Sequence, residues 1–415
     1  LLGTPFRSID RAEDRAQFAG LLRKLNLKQP RNGMARSLGE AVQIGNEIGY
    51  PLLLRPSYVL GGRAMMVAPS EEQLKECFAE AINAAPEHLV LIDEFLVGAI
   101  EVDADFIGDG EHAELGGIME HIEAAGVHSG DSACVLPPHQ LSPEVMRTIE
   151  EQGRLLALEL KVCGLMNVQF AVKDGEVYII EVNPRASRTV PFVSKASGQP
   201  LAKYATRLML GATLEGLGYR YTVPDGYSVK KTVFSFACFA GADAELAPEM
   251  RSTSEVMGRG KSFEEAYMKA QAAVYSPKLS NARSVFIGMR GADKAQMVLV
   301  AQQLVRRGYR ILATAGTADV LEQAGIADIQ CVHMQPGQPD SLQGFLHRGE
   351  VALPINTTRS RKRKMGATHI RRLVLHYNLP YCTTVEGAQH YVQSFTKFGT
   401  LDRFRYVSLP MPEAS

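Results

Sequence analysis

The segment 177–188, VYIIEVNPRASR, ends an alternating apolar run in Glu181, Asn183, Arg185 and Arg188. Side chains alternate along a strand, so Glu181 and Asn183 share one face. A carboxylate beside an amide oxygen makes a pair of hard donors suited to magnesium, which keeps water and substrate phosphate in the rest of its shell. Arginines just beyond can meet phosphate oxygens. Gln169, on the preceding run 166–172, joins this set only in one hairpin register. A three-residue turn, 174–176, pairs 169 with 181, whereas a two-residue Asp174-Gly175 turn puts them on opposite faces, because a one-residue slip reverses every side chain. The three-residue turn, with Gly175 at its bulge position, is the expectation. An edge hairpin with a merely solvated acidic end has the same residues, so other features must decide.

Arg55 stands at the end of a predicted strand before the loop Gly61-Gly62-Arg63. An arginine beside a glycine loop can neutralise a polyphosphate while the backbone approaches closely. The stretch 91–96 followed by Glu101 offers an extended edge for a purine base and a carboxylate for ribose hydroxyls. The polar loop 126–132, GVHSGDS, lies between apolar runs and carries His128, which can donate to a transferring phosphoryl oxygen. Further on, Thr314 and Thr317 follow one short strand and Asn356-Thr357-Thr358 another, with Lys294 at a nearby helix start. Both loops would face the carboxyl ends of parallel strands, where open α/β sheets bind ligands.

The elements that must position these groups alternate between helix and strand. Ser8 is read as the cap of a helix through Ala12, Phe18, Leu21, Leu22 and Leu25. Residues 48–54 read as a buried strand. Ser70 with Gln73 forms a capping box for a helix to about residue 84, and strand 89–92 follows. Ser142-Pro143 opens a helix ending near Lys161, and strands 166–172 and 177–182 form the hairpin. From about Val285 short strands alternate with helices, as in a small doubly wound domain. Residues 237–281 show no strong period. The expected organisation is a first domain over 1–236, a connecting segment over 237–281 packed with it, and a second domain over 282–415.

The 415 residues are too many for one ordinary core. Lys plus Arg and Asp plus Glu number 45 each, so no global field recruits nucleic acid or an anionic membrane. The six cysteines form no CxxC pair, which points away from zinc and disulfide frameworks and toward a cytoplasmic setting. No apolar run approaches the ~20 residues of a membrane span. The chain starts at Leu1, and missing upstream sequence is expected.

The strings RPSYVLGGRAM (55–65), GGIMEHIEAAGVHSGDSACVLP (116–137), GLMNVQFAVKDGEVYIIEVNPRASRTVPFVSKASG (164–198) and PEMRSTSEVMG (248–258) resemble the carboxyl-terminal half of carbamoyl phosphate synthetase large subunits. The resemblance implies an ATP-grasp domain, of mixed α/β and α+β class, followed by a Rossmann-like, methylglyoxal-synthase-like regulatory domain. It implies phosphorylation of carbamate by ATP with Mg2+ or Mn2+, and with K+. Arg15, Arg55, Glu94, Leu96, Glu101, Gly126, Val127, His128, Ser129, Gln169 and Glu181 would contact nucleotide, and Gln169, Glu181 and Asn183 would hold metal. His128, Arg185 and Arg188 would be catalytic.

Lys294, Thr314, Thr317, Asn356 and Thr358 match the family's site for a nucleotide monophosphate effector, while His333 replaces a usual lysine. The basic run 359–364 offers alternative charge. Glu123, Asp131 and Thr383 match an ornithine site, but Lys231 stands where a carboxylate is usual, so weak or absent ornithine activation is expected. Implied partners are the amino-terminal half of the large subunit and a glutaminase subunit, with a homo-oligomer also compatible. A fragment that only binds nucleotide and assembles is the competing expectation.

Overall fold

The computed structural model describes residues 2–56, 64–84, 89–234, 246, 248–275, 282–333, 338, 340–357, 365–377 and 379–398. The expected Gly61-Gly62-Arg63 loop, Thr358 and the basic run 359–364 lie outside them. The described chain folds into two compact units, residues 2–225 with 248–250, and residues 226–246 with 251–398.

The first unit opens with two helices where the apolar spacing suggested one. These are α1 (Phe6–Glu13) and α2 (Arg15–Lys24). Ser8 is buried inside α1, and Asp14 caps α2 by accepting from the Gln17 amide at 2.8 Å. An aspartate at the N-cap satisfies an otherwise orphaned donor, so the chain restarts there and Arg15 becomes the first residue of α2.

Next come β1 (Asn32–Ala35), α3 (Leu38–Ile48), β2 (Leu52–Pro56), β3 (Met66–Ala68), α4 (Glu71–Ala84) and β4 (Val90–Glu94). Ile48 therefore closes a helix rather than opening a strand, and Arg55 lies within β2. The four strands make an antiparallel sheet in the order β1-β4-β2-β3. Its apolar face, including Leu52, Leu54 and Ile92, packs with Leu74 and Phe78 of α4. The expected capping contact at the start of α4 is present, Gln73 N donating to Ser70 Oγ at 3.4 Å.

The remainder of the unit comprises β5 (Ile100–Asp109), β6 (Ala113–His121), β7 (Cys134–Leu136), α5 (Pro143–Glu159), β8 (Cys163–Lys173), β9 (Glu176–Asn183), α6 (Val190–Ser197) and α7 (Leu201–Met209). Its strands lie side by side in the order β7-β6-β5-β8-β9, all antiparallel. Helix α5, capped by Ser142 as its sequence predicts, covers one face of this sheet, burying Ile149 and Leu156 against Phe106, Val168 and Phe170. A Cβ on Gly153 would lie 1.9 Å from the Phe106 ring. Gly153→Ala should therefore destabilise the unit by roughly 1–3 kcal/mol through overpacking, read as a lower urea midpoint with an unchanged slope.

The second unit begins with β10 (Tyr227–Val233), β11 (Ser254–Gly260) and α8 (Phe263–Val274). β10 and β11 pair antiparallel. It continues with β12 (Ser284–Gly288), α9 (Lys294–Arg306), β13 (Arg310–Ala313), α10 (Ala315–Gln323), β14 (Gln330–Cys331), α11 (Leu342–His347), β15 (Val351–Asn356), α12 (Met365–His376) and α13 (Val385–Phe398). Here the sheet is parallel, in the order β14-β13-β12-β15. The chain steps from β12 outward to β14 and then returns to the other side with β15, which is the doubly wound plan. Helix α8 packs on α13, with Phe263 edge-on to His390 (5.3 Å between ring centroids) and Tyr267 edge-on to Tyr391 (6.4 Å).

Candidate active site

The hairpin β8–β9 brings its two oxygen donors together, but not by the expected turn. Lys173 pairs with Glu176, so the loop is the two-residue Asp174-Gly175 turn, both residues at positive φ (53° and 81°). That is the turn an Asp-Gly pair favours, because its twist matches the strands it joins. Left alone, this register would place Glu181 opposite the wrong face. A bulge restores it: the ladder runs Phe170↔Ile179 and then Gln169↔Glu181, leaving Ile180 extra. A bulge sets two residues of one strand against one of its partner and re-aims the side chains beyond it.

On the shared face Asn183 Nδ2 donates to Glu181 Oε1 at 2.7 Å, and Arg185 Nη2 donates to Asn183 Oδ1 at 3.0 Å. Gln169 Nε2 donates to Ser129 Oγ at 2.8 Å, which ties the hairpin to the 126–132 loop. One carboxylate and two amide side chains form a hard-oxygen set that fits Mg2+ better than a softer metal. Among the described residues no group of three or more His, Cys, Asp or Glu could hold a metal. A divalent ion here would thus be held by this mixed set together with ligand oxygens.

Arginines come to the same place from distant segments. Arg55, largely buried on β2, donates from Nε to Asp93 Oδ2 on β4 at 2.7 Å. The half-buried Arg15 at the start of α2 has its guanidinium pKa lowered by burial and by the neighbouring Arg55 charge, with Asp93 and Glu181 opposing. Two cations held close together in partial burial repel, and an anion between them would relieve that repulsion.

The 126–132 loop supplies the third side. Gly126, at φ 97°, donates its amide to Glu101 Oε1 at 3.0 Å. Val127 is buried. His128 Nδ1 accepts from the Gly130 amide at 3.0 Å, which assigns the proton of the neutral ring to Nε2. Burial lowers the His128 pKa, against the raising charges of Asp131, Glu181 and Asp103, so the ring is a neutral donor at pH 7. Arg188 Nη1 and His128 Nδ1 both flank Gly130, each 3.2 Å from where a Cβ on it would stand.

Glu94 and Leu96, expected to contact the nucleotide, stand at the end of β4 and just beyond it. The Glu94 side chain is bound by Arg31, Nε to Oε2 at 3.0 Å and Nη2 to Oε1 at 3.2 Å, and its amide donates to the Arg31 carbonyl. Arg31 also holds the Glu94 carboxyl below its usual range. Leu96 is buried in a small apolar cluster with Ala99 and Ala171, against Tyr178 and the bulged Ile180.

The sequence reading missed a polar chain along the same sheet face. His121 Nε2 meets Asp103 Oδ2 at 2.8 Å, and Asn167 Nδ2 lies 3.3 Å from Asp103 Oδ1 and 2.9 Å from Asp105 Oδ1. The signal was present as strict alternation: Glu101, Asp103 and Asp105 on one strand, Asn167 and Gln169 on the next, are paired by the β5–β8 register. Burial pushes the Asp105 carboxyl up to about 6; hydrogen bonds from Asn167 and Thr189 oppose it and the Asp103 charge adds to it. The fold thus holds this proton more tightly than the unfolded chain, with its carboxyl near 3.8. The stability it contributes is complete below about pH 4 and lost as pH rises through 6. Relative to Asp105→Asn, wild-type stability in urea should fall by roughly 3 kcal/mol between pH 4 and 7.

In the second unit the Lys294 ammonium donates to the Gly316 carbonyl. Thr314 Oγ1 donates to Thr317 Oγ1 at 3.1 Å, and Thr317 Oγ1 also accepts from the Met289 amide at 3.2 Å. Asn356 ends β15, beside the end of β12. These four residues gather at the carboxyl ends of the parallel strands. His333 is exposed, just beyond the edge strand β14, and bridges to Ser341.

Together the first unit's fold and its oxygen-and-arginine site define an ATP-grasp domain, and the second unit is a Rossmann-like, methylglyoxal-synthase-like domain. Family models agree: carbamoyl-phosphate synthase L chain, ATP binding domain, matches residues 14–217, and MGS-like domain matches residues 296–383. The biotin carboxylase domain of Hydrogenobacter thermophilus 2-oxoglutarate carboxylase, solved with MgADP and bicarbonate, has a similar fold. It gives a TM-score of 0.54 at 18% identity over 66% of this chain and 67% of that one. Campylobacter jejuni biotin carboxylase gives 0.53 at 16% identity over 64% and 67%.

The chain belongs to the carbamoyl phosphate synthase large-chain family. It is 48% identical over 392 residues to the large chain of Pasteurella multocida, covering 94% of this chain, and 49% identical over 396 residues to that of Archaeoglobus fulgidus, covering 95%. It spans only 36% and 37% of those relatives. The Methanocaldococcus jannaschii carbamoyl phosphate synthase large chain, C-terminal section, is 46% identical over 405 residues, covering 95% of this chain and 65% of that relative.

Proposed function

We propose that the first unit transfers the γ-phosphoryl group of ATP to carbamate, giving carbamoyl phosphate and ADP. The observation that carries this reading is the oxygen-donor set on β8–β9, where Asn183 joins Glu181 to Arg185 and Gln169 meets Ser129 of the 126–132 loop, with the charges of Arg55 and Glu181 both acting on Arg15. In this reading Arg15 and Arg55 bind the nucleotide phosphates, Glu101 meets the ribose and Leu96 borders the base. Gln169, Glu181 and Asn183 hold Mg2+ or Mn2+, which when bound shields the phosphate charge. Arg185, which donates to Asn183 Oδ1, would meet the transferred group beside that ion. Neutral His128 donates from Nε2 to a phosphoryl oxygen, and Arg188 spreads the developing charge. The rate then comes from orientation and electrostatics, with no covalent enzyme intermediate.

The second unit, in this proposal, binds a nucleotide monophosphate through Lys294, Thr314, Thr317 and Asn356. Carbamate decomposes in water, so it must come directly from the remainder of a large chain served by a glutaminase, in the cytoplasm, supplying pyrimidine and arginine synthesis. The test is ATP formation from ADP and carbamoyl phosphate, which needs neither carbamate delivery nor partner chains. Magnesium-dependent ATP formation is expected; none, with ADP still bound, would favour an assembly and binding fragment.

A further inference from the structure

Strand β5 delivers a carboxylate to a place where no described cation pairs with it. Asp105 is 1% exposed, sits at the irregularity of the β5–β6 ladder, and forms no ion pair among the described residues. Its oxygens accept instead from Asn167 Nδ2 at 2.9 Å, Ser187 Oγ at 2.9 Å and Thr189 Oγ1 at 2.7 Å. The two hydroxyls belong to loop 184–189, which joins β9 to α6 and carries Arg185 and Arg188.

Thr189 stands at the N-cap of α6, where a threonine hydroxyl ordinarily accepts from the helix's own amides. It makes no such bond and turns to Asp105. Arg185 and Arg188 are exposed, so the path of the loop decides where they project. Arg188 Nη1 and His128 Nδ1 would each lie 3.2 Å from a Cβ built on Gly130, so a small shift of the loop separates guanidinium from imidazole.

We propose that Asp105 is the positioning residue of the arginine loop: through Ser187 and Thr189 it holds residues 184–189 so that Arg185 and Arg188 meet the transferred phosphoryl group. This rests on the phosphoryl-transfer reading above. Arg15 and Arg55 are held by α2 and β2 rather than by this loop, so nucleotide affinity does not depend on the loop, and the effect falls on turnover.

The experiment compares Asp105→Asn, the pair Ser187→Ala/Thr189→Val, and the triple variant in ATP formation from ADP and carbamoyl phosphate. Asp105→Asn and the pair should each lower kcat roughly 100-fold while KM for ADP stays within about twofold, the loss expected for a displacement near 1 Å. The triple variant should lose no more than either, and Thr189→Ser, which keeps the hydroxyl, should restore kcat. Wild-type kcat in folded Asp105→Asn, or losses that multiply in the triple variant, would overturn the proposal. Should the wild-type chain form no ATP, the phosphoryl-transfer reading fails by itself. The loop claim is then decided by amide hydrogen exchange across 184–189: roughly tenfold faster exchange in the pair supports it, and unchanged exchange overturns it.

Discussion

Glu181→Gln lowers magnesium-dependent ATP formation from ADP and carbamoyl phosphate by roughly 100- to 1000-fold, the scale of losing one preorganised group that stabilises transition-state charge. Glutamine keeps the shape and can still accept from Asn183 Nδ2, now 2.7 Å from Glu181 Oε1, so the fold should survive. The one carboxylate of the donor set is lost. Raising the magnesium concentration should recover part of the rate, because a weakened site is refilled by mass action. A rate within about threefold of wild type at all magnesium concentrations would remove Glu181 from the site.

Arg55→Ala has two consequences that one further variant separates. Arg55 and Asp93 keep only 12% and 11% of their side chains exposed, so removing the arginine leaves a carboxylate buried without its cation. Such losses cost about 3–5 kcal/mol, seen as a lower unfolding midpoint. Adding Asp93→Ala removes the stranded charge and should recover most of that stability. Nucleotide affinity should not recover, falling at least tenfold in both variants by calorimetry, since Arg15 alone then faces the phosphates. Recovery of ADP binding in the double variant would make the pair purely structural.

Much of this architecture was legible where one residue type has one physical use. Ser142 before Pro143 announced α5, and the alternation of 177–183 announced a strand that ends in polar side chains. The failures were local competitions. Apolar spacing runs unbroken across Glu13 and Arg15, yet Asp14 offers a better cap than a continued helix, so the chain breaks there. In the hairpin the Asp174-Gly175 pair favours a two-residue turn, whereas unbroken alternation aligns 169 with 181 only through a three-residue one. The bulge at Ile180 reconciles both, and no residue type marks it; the extra Ile180 packs with Tyr178 against the Leu96 cluster. Asp103, Asp105 and His121 were visible as alternation, but their meaning depends on which strands become neighbours, and β5 pairs with β8 some sixty residues later.

A crystal structure of the chain with MgADP decides whether these converging side chains are a nucleotide site. One nucleotide is expected in the first unit, its phosphates between the guanidiniums of Arg15 and Arg55 and a magnesium ion held by Glu181. Phosphates bound away from both arginines, or a metal held without Glu181, would contradict the phosphoryl-transfer reading.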